Sequence, residues 1–96
     1  MNTANLQIEG LLVAVSTLME ALRARGALTA AEIDGALAEA EAALLADPER
    51  PPELSHAHVE AICFPVRYLR LANRSAGQGR VESFTDLAAR VGREKP

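Results

Sequence analysis

A chain of 96 residues, 49% hydrophobic, with a net charge of −3 and one cysteine, has room for a single domain and no intrachain disulfide. Nineteen residues are alanine and thirteen leucine, against three aromatics and no tryptophan, so the core must be thin and built mainly from leucine. The acidic balance argues against a general nucleic-acid binder.

The longest apolar run, Leu11–Met19, is well short of the ~20 residues that cross a bilayer. The opening MNTANLQIEG lacks the basic start of a secretory leader, so a cytoplasmic protein with no membrane attachment is expected. The few β-branched residues fall at helical spacings, which points to an all-α fold. A domain this small commonly gains stability by self-association.

The first predicted helix covers about residues 3–25, with Ile8, Leu11, Leu12, Val15, Leu18, Met19 and Leu22 within an arc of roughly 120°. Glu9, Ser16, Glu20 and Arg23 form a polar wedge beside it. Gly26 suits the left-handed position that ends a helix. The second helix covers about residues 29–46 and opens on Thr29-Ala30-Ala31-Glu32, a capping box. Ile33, Leu37, Ala40 and Leu44 line its apolar side, and Asp47-Pro48 stops it. The short link between them predicts an antiparallel hairpin of two helices.

A proline-rich connector, DPERPPEL at residues 47–54, precedes a third helix over about residues 55–73, capped by Ser55. This stretch holds both histidines, the cysteine and two of the three aromatics. Val59, Ile62, Cys63, Val66 and Leu69 share one arc; Ala61, Phe64, Tyr68, Leu71 and Ala72 lie nearly opposite. Such a helix needs two surfaces to pack against. Pro65 within it predicts a kink, with a break at Phe64 as the alternative. After a flexible turn, SAGQGR at 75–80, a short fourth helix over about residues 83–91 is capped by Ser83 or Thr85 and stopped by Gly92. Its FTDLAARVG resembles the opening helix of a helix-turn-helix, carried by Leu87, Ala88 and Gly92. With four residues following, it is read as a cap on the bundle.

Three constellations bear on chemistry. His56, Glu60 and Cys63 follow one side of a helix and are zinc-ligand types, yet a structural site takes four ligands; this set reads more simply as an exposed first turn above a small core residue. Cys63 and a histidine form no complete nucleophile–base–orienter set, and no phosphate loop or nucleophile elbow occurs, so neither an enzyme nor a cofactor is expected. Arg67, Arg70 and Arg74 form a basic row. The row suits carboxylates of the acidic second helix, or phosphates in a nucleic-acid-associated regulator.

These readings converge on a small all-α bundle of four helices acting as a non-enzymatic interaction module, a homodimer or adaptor. The expected contact is the apolar side of the third helix, Phe64, Tyr68 and Leu71 with Arg67, Arg70 and Arg74, or the apolar side of the first. A nucleic-acid regulator and a metal or thiol sensor at His56, Glu60 and Cys63 are the alternatives.

Overall fold

The computed structural model describes residues 3–47, 56–80 and 82–93. It is all-helical there, with α1 at Thr3–Ala24, α2 at Ala30–Leu45, α3 at His56–Gly77 and α4 at Phe84–Arg93. The connector cap at Ser55 lies outside the described residues.

Local signals place most of the ends. Gly26 has φ 71°, and the amides of Gly26 and Ala27 donate to the carbonyls of Arg23 and Leu22 at 3.1 and 3.0 Å. That is a Schellman closure, open to glycine because a side chain resists a positive φ. The capping box forms: the Thr29 amide donates to Glu32 Oε1 at 2.8 Å and the Glu32 amide to Thr29 Oγ1 at 3.0 Å. Ser83 Oγ accepts from the Asp86 amide at 3.1 Å, which makes Ser83 the cap of α4.

Two ends differ from expectation. α3 continues a full turn past Asn73 to Gly77, because the left-handed residue is Gly79; there the Gly79 and Arg80 amides close onto Ala76 and Ser75. Ser75-Ala76-Gly77 is helix rather than turn. α4 runs through Gly92 to Arg93, since Gly92 keeps a helical backbone and glycine only weakens a helix unless its φ turns positive.

α3 passes unbroken through Pro65, so it is one helix. Each of the other helices makes its main packing against α3. α1 and α2, although joined by a tight turn, rest on α3 more than on each other. The core gathers Leu12 and Met19 of α1, Ile33 of α2, Tyr68, Leu69 and Leu71 of α3 and Leu87 of α4. Both arcs of α3 are covered: Cys63, Val66 and Leu69 are buried, as are Tyr68 and Leu71.

At the junction of three helices sits Asn73, 2% exposed. Its Oδ1 accepts from Arg23 Nη1 at 2.6 Å, and its Nδ2 donates to the Ala30 carbonyl at 2.9 Å. One buried amide thus ties α3 to the end of α1 and the start of α2. Removing it deletes both bonds and leaves a buried gap, so Asn73→Ala is expected to cost about 1–3 kcal/mol in chemical denaturation. Gly77→Ala, whose added Cβ would meet Ala30 Cβ at an ordinary 3.8 Å, is expected to leave stability unchanged or raise it slightly. Equal losses from both substitutions would deny Asn73 this role.

Candidate functional site

The basic row on α3 is turned toward α2. Arg67 Nε donates to Glu41 Oε2 and its Nη1 to Glu60 Oε2, both at 2.8 Å. Arg70 grips the Asp34 carboxylate with Nε and Nη2 at 3.0 and 3.1 Å and reaches Glu41 Oε1 with Nη1 at 2.9 Å. Glu41, with its side chain 13% exposed, therefore bridges two guanidiniums one helical turn apart. The acidic side of α2 and the basic row of α3 form one lattice, and a shared carboxylate costs less side-chain entropy than separate pairs would. Arg74 stays exposed and lowers the pKa of Asp34 through its charge.

These pairings shift the carboxylates downward. The hydrogen bond from Arg70 holds Asp34 below its ordinary value of 3.8 against the opposing effect of burial. The bonds from Arg67 and then Arg70 hold Glu41 below 4.5. A carboxylate whose pKa is depressed on folding contributes stability above its unfolded pKa and loses it as pH falls through the folded value. Stability is thus expected to drop as the pH falls below about 5 and on through the acid range. Glu41→Gln should be weaker at neutral pH by about 1–2 kcal/mol and show a shallower pH slope. Urea midpoints across this range check both, and a flat wild-type profile would show that the lattice contributes nothing.

On the other side of α3 the aromatics close on α4. Tyr68 and Phe84 ring centroids stand 5.2 Å apart and Phe64 and Tyr68 6.4 Å, both tilted, within the range where ring quadrupoles attract. Burial, helped by the nearby Glu9 charge, pushes the Tyr68 hydroxyl pKa up. α4 is also held by polar contacts: Ser75 Oγ donates to Glu82 Oε1 and Arg90 pairs with the same oxygen.

The face expected to meet a partner on α3 is therefore occupied within the chain. Tyr68 and Leu71, 3% and 5% exposed, belong to the core, Phe64 is half-buried, and Arg67 and Arg70 are engaged with α2 and with Glu60. The candidate metal set does not assemble either. Cys63 is 0% exposed, Glu60 is paired with Arg67, and the His56 side chain lies outside the described residues. Among the described residues no three metal-ligating side chains converge.

Open grooves remain beside α4. One of ≈ 690 Å³ runs between α1, α3 and α4, floored by Ile8, Phe64, Phe84 and Val91. Among the described residues neither histidine nor cysteine lines it.

Among the described residues, α1 exposes a row of large apolar side chains. Leu11 and Leu18 are each 64% exposed, and Ile8 and Leu22 about two-fifths. The seven apolar residues of this arc do not all form a core stripe as their spacing predicts, for the structure buries only its Leu12–Met19 side. α1 carries just three charges, Glu9, Glu20 and Arg23. At 100° per residue they share one side, away from Leu11 and Leu18. A solvated helix face normally carries charge; this one carries none. No protein-family model, curated protein or solved structure matches the chain. No helix is long and apolar enough to cross a membrane among the described residues.

Proposed function

We propose that this protein is a non-enzymatic helical interaction module that binds through the outer face of α1. The observation that carries the reading is the pair Leu11 and Leu18, each 64% exposed on the uncharged side of a 22-residue helix. Contiguous apolar surface of this kind marks association sites more often than free surface. The arginine row favours no competing nucleic-acid reading, because Arg67 and Arg70 already meet carboxylates of the same chain. A cytoplasmic setting agrees with a buried, free Cys63.

A face that serves binding rather than folding tolerates charge in the isolated chain. Leu18→Glu is therefore expected to keep the helical circular-dichroism signal and, at a dilution where wild type and variant both run at single mass, to alter unfolding stability by less than about 0.5 kcal/mol. At that dilution the same substitution should lower binding of a hydrophobic-surface dye. Leu12→Glu, within the core, should unfold the protein. Loss of helicity in both variants would make α1's outer face structural and end the reading.

A further inference from the structure

Resting on that reading, we propose that the occupant of α1's outer face is a second copy of this chain, paired antiparallel along α1 about a two-fold axis. The first support is the register. Ala4, Ile8, Leu11, Val15, Leu18 and Leu22 alternate in steps of four and three through the helix, the repeat that keeps a seam facing a partner helix. A second such seam, Ile8, Leu12, Val15, Met19 and Leu22, lies beside it and faces the core, where Leu12 and Met19 are buried. α1 thus carries two seams sharing Ile8, Val15 and Leu22, and the chain supplies a partner for only one.

Composition makes the face fit itself. The flank of the outer seam away from the core carries Gln7, Ala14 and Ala21 at seven-residue intervals. Small uncharged flanks let two helices approach closely and place no like charges together. An unlike partner with a complementary charge pattern would find nothing on this face to read.

The antiparallel direction follows from the layers. Set head to tail about Val13, the seam brings Ala4 opposite Leu22, Ile8 opposite Leu18 and Leu11 opposite Val15, so each alanine or β-branched residue meets a leucine. A parallel pair would instead stack Ala4 on Ala4, align the two helix dipoles, and bring the acidic α2 helices to the same end. In the antiparallel pair Ala14 of one copy lies beside Ala14 of the other. In a parallel pair the two would lie on opposite sides of the seam.

The test measures mass by light scattering and sedimentation on the full chain from micromolar to millimolar concentration, with Leu18→Glu and Leu11→Lys as variants and mild oxidation of Ala14→Cys. Cys63 is fully buried, so the introduced thiol is the reactive one. The expected result is twice the chain mass for the wild type, a return to single mass with full helicity in either charged variant, and a disulfide-linked dimer from Ala14→Cys but not from Gln7→Cys. A wild-type protein of single mass at every concentration overturns the second copy; if Leu18→Glu then keeps its helicity, the binding-face reading stands, and if it unfolds, both fail. A dimer that survives both charged variants overturns the α1 seam. A dimer disrupted by them, in which Ala14→Cys does not cross-link, overturns the antiparallel register whether or not Gln7→Cys links.

Discussion

A helix with apolar residues on opposite sides cannot be hidden by one neighbour, and α3 is such a helix. Cys63, Val66 and Leu69 on one side and Tyr68 and Leu71 on the other are all buried. The remaining helices are therefore arranged as a jacket around it, each leaning on α3 more than on one another. Pro65 does not break this central element, because packing on several sides outweighs the backbone bond that proline removes.

The two flanks of α3 are held by different forces. Toward α2 the apolar packing of Ile33 is reinforced by ion pairs: Asp34 and Glu41 of α2, with Glu60 of α3 itself, are shared between Arg67 and Arg70. Toward α4 the contact is aromatic, with Tyr68 between Phe64 and Phe84. Asn73 closes the end where α1, α2 and α3 meet. Both flanks carry acid-sensitive carboxylates, Asp34 and Glu41 toward α2 and Glu82 beside α4, and the α4 flank adds burial of aromatic area.

α1 is the helix the jacket uses least completely. Its apolar arc is wider than the strip α3 covers, and the uncovered part, Leu11 and Leu18, carries no charge to keep it in water. An alanine-rich chain buries little area per residue, so coverage of that strip by another helix would recover stability the monomer lacks. The pairing inferred for α1 and the thinness of the core have the same physical origin.

The helices themselves were readable from short-range signals. Thr29 and Glu32 specify a cap wherever they occur, Gly26 marks a helix end, and apolar residues at three- and four-residue spacing mark helix sides, because all of these act within a turn or two of the chain. Where a helix stops was less legible: of Gly77, Gly79 and Gly92 only Gly79 turns left-handed, a matter of which turn the tertiary contacts hold together. The allocation of surfaces was beyond local reading altogether. Periodicity shows that Phe64, Tyr68 and Leu71 share a side and that Ile8 to Leu22 share another, but not which side a distant helix covers. Placing α2 and α4 on α3 turned the expected contact at Tyr68 and Leu71 into core and left Leu11 and Leu18 uncovered. The residue pattern determined the helices and their apolar sides; the tertiary structure decided which side remained for a partner, because burial depends on elements far apart in the chain.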